Sequence, residues 1–307
     1  MNVRSMPNGS ITRPHVAMQD KLRSMIHLFT ETSPLNRFRY DKTMRFFDAP
    51  LIGCANGDDP VFDEFKKAVC ATHMTPREFY KNVYPQHNPR HLTVLSLVFP
   101  QTKEVRDANR NQGRWDIPAY DWIDAKARGG EFQSALNSKI AAFFAKYRIN
   151  CISSDNEALV YPTFHWEDNF HVDVTWSERH VAYACGLGTF GLCGGLITEK
   201  GKAVRCGSLV IATQLPATPR PYKTHTEYCL FYRDGSCMAC AHRCPVGAIS
   251  EKGKDTRLCK LQSDEGVPKI MEQYSIDQRG CGFCQLNVPC ESGIPGYKIE
   301  EKTEQSR

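Results

Sequence analysis

Eight cysteines crowd the last 79 residues of the chain, at Cys229, Cys237, Cys240, Cys244, Cys259, Cys281, Cys284 and Cys290. Thiolate sulfur is a soft ligand, and closely spaced cysteines in a reducing compartment read as metal or redox groups before they read as disulfides. Cys237-Met-Ala-Cys240-Ala-His-Arg-Cys244-Pro245 has the C-x2-C-x3-C-P spacing that closes an iron–sulfur ligand run. The place of that run's first cysteine holds Asp234, so the missing thiolate must come from elsewhere, and Cys229 is nearest. Eight thiolates match the need of two 4Fe–4S cubes, whose iron corners each take one. The last cysteine of such a run ligates the other cluster, which groups Cys229, Cys237, Cys240 and Cys290 against Cys244, Cys259, Cys281 and Cys284. Structural zinc also accepts C-x2-C pairs. Here, however, 40 residues separate Cys240 from Cys281, against about 15–20 in a zinc ribbon. His242, inside the run, reads as a solvated loop residue.

The elements that must carry these thiols follow from pattern. Ala49-Pro-Leu-Ile-Gly-Cys54, closed by Asn56-Gly-Asp-Asp-Pro60, reads as strand then turn. Leu92 to Phe99, ended by Pro100, is a strand of the kind that sits centrally in a sheet, and Val204 to Ala212 gives a third. Between Glu131 and Tyr147 the spacing of Phe132, Leu136, Ile140, Phe143 and Phe144 predicts an amphipathic helix on that sheet. Pro216, Pro219 and Pro221 make a stiff connector. The expected organisation is an arm or peripheral helices over 1–45, an α/β (α+β) catalytic and cofactor-binding domain over 46–215, and a two-cluster module over 216–307.

Composition excludes several function classes. With 41% hydrophobic and 24% charged residues the chain is ordinary globular protein. No early apolar segment precedes a small-residue cleavage site, so export is not expected and the cytoplasm is. No apolar run approaches the roughly 20 residues of a membrane span. The net charge of +5 is mild and diffuse; it would suit an acidic redox partner and forms no strong basic stripe for nucleic acid.

Gly186-Leu-Gly188-Thr-Phe-Gly191 spells G-x-G-x-x-G, but a dinucleotide site needs a strand before it and a helix after it. Here Thr175-Trp-Ser-Glu178 is a capping-box pattern starting a helix that runs through Cys185, so these glycines end a helix and let backbone approach something closely. Ser177-Glu-Arg-His-Val-Ala-Tyr-Ala-Cys-Gly-Leu-Gly-Thr-Phe-Gly191, then Arg205-Cys-Gly-Ser-Leu-Val-Ile211, then the cysteine block, resembles the epoxyqueuosine reductase and reductive dehalogenase superfamily over roughly residues 165–295. That resemblance implies a nitroreductase-like α/β domain that binds cobalamin, a ferredoxin-like C-terminal module with two 4Fe–4S clusters, and single electrons fed through them to reduce an organic substrate.

The resemblance also nominates individual residues. Val172-Asp173 stands before the Glu178-Arg179 helix, one residue closer than in the family pattern, and implies Asp173 as the proton donor to substrate. Tyr161, Tyr183, His165, His171 and His180 are alternative donors or axial ligands. Gly186, Gly188, Gly191, Gly207 and Ser208 are the implied cofactor contacts. The family's Lys after the glycine turn has no counterpart at Leu192 or Cys193, and Pro289 precedes the last cysteine instead of following it. No helical-repeat tail follows the cysteine block, so tRNA is disfavoured against a small-molecule substrate, with ferredoxin or flavodoxin the expected electron donor. Cys185, Cys193 and Cys206 are read as packed thiols. The competing reading is a non-catalytic electron carrier or redox sensor, separated from an enzyme by whether residues 173–209 line a deep pocket.

Overall fold

The computed structural model describes residues 13–166 and 170–296. At its centre is a four-stranded, wholly antiparallel sheet in the order β1-β2-β8-β3, formed by Leu51–Asn56, Thr93–Pro100, Val204–Ile211 and Cys151–Ser153. β2 is buried at every residue because helices cover both faces. Leu95, Leu97 and Phe99 meet α1 (Arg13–Thr32) and α5 (Tyr120–Ala145), through Leu22, Ile26, Phe132, Leu136 and Ile140. Val94, on the other face, meets α2 (Val61–Ala68), α3 (Pro76–Val83) and α6 (Glu178–Ala184), through Phe65, Phe79 and Val181. α4 (Lys103–Arg110) follows β2 and packs on α5.

Three expectations change. Over 1–45, the described part is not peripheral: α1 buries Leu22 and Ile26 completely in the main core, a face too sparsely apolar for its sequence to announce. α5 starts 11 residues before Glu131, since Gly129 lies within the helix where a Cβ would come within 2.8 Å of the Phe47 ring. The proline connector is pinned along β1, with Thr218 N–H donating to Cys54 O at 2.8 Å and Cys54 N–H to Thr218 Oγ1 at 3.0 Å.

Between the sheet and the cysteine block lie the β4–β5 hairpin (Pro162–His165, His171–Val174), α6, and the β6–β7 pair (Thr189–Phe190, Leu196–Ile197). The Thr175 capping box does not form. Ser177 is the N-cap, Thr175 Oγ1 donates to Leu159 O at 2.6 Å, and Ser177 N–H donates to His73 Nε2 at 3.0 Å. The cysteine block adds α7 (Leu230–Asp234), α8 (Ala239–His242), the β9–β10 pair (Ile249–Ser250, Gly253–Lys254) and α9 (Thr256–Tyr274). No helix among the described residues is long and apolar enough to cross a membrane.

His73 anchors α6 as a neutral acceptor. It is fully buried against Trp176, and burial pushes its pKa down to about 4. Unfolding returns it to about 6.5, so its contribution is complete above that pH and is lost as pH falls towards 4. The shift corresponds to at most about 3 kcal/mol. Urea unfolding between pH 7 and pH 4 should show this loss, and His73→Gln, which keeps an acceptor, should flatten it; an unchanged slope would show that the imidazole is not its source.

Candidate functional site

The fold sorts the eight cysteines into two groups. Cys229 at the N-cap of α7, Cys237 and Cys240 beside and within α8, and Cys290 line a small void of about 20 Å³ with Leu192 and Lys202. Cys244, Cys259 on α9, Cys281 and Cys284 line a separate cavity of about 240 Å³. Gly282, in the left-handed region at φ 82°, turns the chain between Cys281 and Cys284, and Trp122 leaves no space there for a Cβ. The Cys290 loop is fixed by Glu291, which is buried in an ion pair with Arg110 and lies 3.5 Å from Arg106. All fourteen cysteines are unpaired thiols.

Two residues between these groups carried no sequence signal. Lys202 is only 3% exposed, and its Nζ lies 3.5 Å from Cys193 Sγ and bonds Cys290. Burial pulls its pKa down, but the sulfurs of Cys193, Cys290, Cys240 and Cys284 outweigh burial and raise it. Cys193 touches Cys240 of one group and Cys284 of the other, and hydrogen bonds from those thiols, with Lys202 nearby, hold its own pKa well down. It is therefore not the inert packed thiol expected. Cys185 and Cys206 are: burial drives both pKa values up, that of Cys206 to about 12. Lys202 was hidden because Glu199-Lys-Gly-Lys reads as a polar surface turn. Gly201, at φ 85°, presses on Glu291 O, and Lys202 N–H donates to Cys290 O at 3.0 Å, which turns the lysine inward.

Beside both groups opens a cavity of about 710 Å³. Phe164, Val172, Val174, Phe190 and Leu192 give it an apolar wall; Cys259 joins it to the second cysteine group, and Gly191 and Leu192 to the first. Its cations are Arg179, Lys254, Lys260 and Arg279, the last two paired with Asp264. His180 lines it as a neutral imidazole, its pKa pushed to about 3 by burial and Arg179, and hydrogen-bonds Ser177 Oγ through Nδ1 at 2.8 Å.

Several nominated residues stand elsewhere. Asp173 points to the opposite face of the hairpin from this cavity, 26% exposed and 3.4 Å from His165 Nε2; Val172 and Val174 face inward instead. Gly188 and Gly207 have no room for a cofactor, because a Cβ would meet Ile197 O at 2.3 Å and Gln133 Nε2 at 2.0 Å. Gly186, at φ 79°, closes on Pro219 O and borders a different cavity, whereas Gly191 lines the large one. Ser208 is fully buried and accepts from Trp176 Nε1 at 2.9 Å. With Ser154 it holds Glu178, whose pKa burial raises and which the half-buried Arg205 faces. The Glu-Arg pair of the motif thus divides its labour, Glu178 bracing α6 on β8 and Arg179 lining the cavity.

No protein-family model and no curated protein sequence matches the chain. Solved structures do. Epoxyqueuosine reductase from Bacillus subtilis is 14% identical with a TM-score of 0.46, over 91% of this chain and 67% of that one. The Streptococcus thermophilus enzyme is 13% identical with a TM-score of 0.49, over 91% and 68%. An epoxyqueuosine reductase bound to a modified tRNA-Tyr stem loop is 15% identical with a TM-score of 0.47, over 92% and 66%.

Cys240 sits at the contact of its group with Cys193 and Lys202. If the two cysteine groups each hold an iron–sulfur cluster, Cys240→Ser should remove about half of the iron taken up on anaerobic reconstitution and the matching part of the visible absorbance. Undiminished iron would show that Cys240 is no ligand.

Proposed function

We propose that the protein is an iron–sulfur oxidoreductase of the epoxyqueuosine reductase type. One 4Fe–4S cluster is held by Cys229, Cys237, Cys240 and Cys290, the other by Cys244, Cys259, Cys281 and Cys284, and single electrons pass to an organic small molecule in the 710 Å³ cavity. The observation that carries this is Lys202. A buried ammonium needs an anionic partner, and its recorded partners are cysteine sulfurs. A buried cation beside Cys290 and Cys240 of one group and Cys284 of the other suits metal clusters of net negative charge held by those sulfurs. Iron is favoured over zinc by the C-x2-C-x3-C-P spacing.

The cavity separates an enzyme from an electron carrier. Its volume falls in the range of about 300–1,000 Å³ for small-molecule sites, and it abuts both cysteine groups. The resemblance adds a corrinoid. Phe190, Leu192, Val172 and Val174 offer the apolar wall a macrocycle needs, and Arg179 and Lys254 offer cations for its polar fringe, so the residues present fit such a group. Bound there, it would supply an electron-rich metal centre beside the substrate. The chain's own part is to exclude water with that wall, keep His180 neutral, and place cations where negative charge develops. Proton donation falls to cavity residues such as Lys254 and Tyr232 in preference to Asp173, which faces away. A polyanionic substrate such as tRNA also finds cations at this cavity, where Arg179 and Lys254 join the Asp264-paired Lys260 and Arg279. Ferredoxin or flavodoxin remains the proposed electron donor.

Anaerobically purified protein should hold about eight iron per chain, with cobalt reporting a corrinoid; zinc in place of iron overturns the reading. Lys202→Met should lower the midpoint potential of one cluster by on the order of 100 mV, because it removes a positive charge next to the group being reduced. Potentiometric titration followed by electron paramagnetic resonance measures it, and an unmoved potential would remove the charge pairing from the argument.

A further inference from the structure

The β4–β5 hairpin carries different chemistry on its two faces. Phe164, Val172 and Val174 line the cavity. On the outer face His165 lies directly across from His171, and Asp173 follows two residues later on the same strand. The two imidazoles stack with centroids 4.2 Å apart and planes 9° from parallel. His165 Nε2 is 3.4 Å from Asp173 Oδ2, and that nitrogen is buried without a hydrogen bond. One donor atom from each of the three side chains lies within 4.8 Å of the other two.

We propose that His165, His171 and Asp173 bind one divalent first-row transition cation of the zinc type. Nitrogen and oxygen ligands at about 2.0–2.1 Å around a tetrahedral ion lie about 3.3 Å from one another, close to the separation between His165 and Asp173, and on binding one of the two stacked imidazoles turns about its χ2 bond so that both nitrogens aim at the ion. Two imidazoles and one carboxylate form a donor set for zinc-like ions and a poor one for calcium or magnesium, which want oxygen alone. The alternating pleat places all three donors on one face, and a two-stranded ribbon, marginal by itself, gains a clip across its strands. The site shares no residue with the cysteine groups, so it stands or falls independently of the clusters. An occupied site also commits Asp173 as a ligand and holds its carboxylate on the outer face.

The test is calorimetric titration of the full, cluster-loaded chain with zinc chloride under anaerobic conditions, after loose metal is removed. The wild type should take up one zinc per chain, undisturbed by millimolar magnesium. His171→Ala and the near-isosteric Asp173→Asn should each weaken uptake by at least about tenfold, with iron content and cluster absorbance unchanged. Zinc captured by vacated cysteines would be the same in wild type and variants. Equal uptake in all three proteins, or none in the wild type, overturns the proposal and leaves a bare imidazole–carboxylate pair. Iron content, measured on the same samples, reports separately on the cluster reading.

Discussion

A positive charge taken out of water must be answered, and the chain answers that of Lys202 with sulfur. This constraint reaches well beyond one side chain. Lys202 points inward only because Gly201 turns at positive φ and leans on Glu291 O. Glu291 stays in place because Arg110 and Arg106 of α4 hold its carboxylate. The segment that carries Cys290 is thereby tied both to the sheet domain and to the turn that follows β7. Sulfurs from distant parts of the sequence meet at one ammonium, and Cys193 bridges the two groups at the same place.

The sheet gives this arrangement something rigid to stand on. Strands β2 and β8, covered on both faces, supply the core against which α6 packs. α6 is then fixed at two points: His73 accepts from the Ser177 N–H at its start, and Glu178 is held by Ser154 and Ser208 below it. His73 is fully buried, so the loss of its partner would be costly. The effect of the two anchors is to set the start of α6, and with it Arg179 and His180, beside the cavity. The glycines after the helix act in the same sense, allowing its end to press on the proline connector and on β7.

Features carried by local pattern were legible in the sequence. The apolar runs that became β1, β2 and β8 needed only composition and turn residues. Illegible features depend on which way a residue faces. α1 has a thin apolar stripe, yet Leu22 and Ile26 are fully buried, since β1, β2 and α5 close over them. Lys202 lies in a turn whose composition is that of a solvent loop. Arg179, Lys254, Lys260 and Arg279 come from separate elements, so no window of sequence shows them as a patch.

Asp173 shows how small a difference decides such a question. In a strand, successive side chains point to opposite faces, so one residue of displacement exchanges the inward set for the outward set. The Val-Asp pair stands one residue closer to the Glu-Arg helix than in the pattern it resembles, and with that spacing Val172 and Val174 face the cavity while Asp173 faces out. The outward face was then free to acquire other chemistry, and the carboxylate found there lies beside two imidazoles instead of a substrate. Which face of the pleat a residue takes, and so which neighbours it can meet, is set by register as well as by residue type.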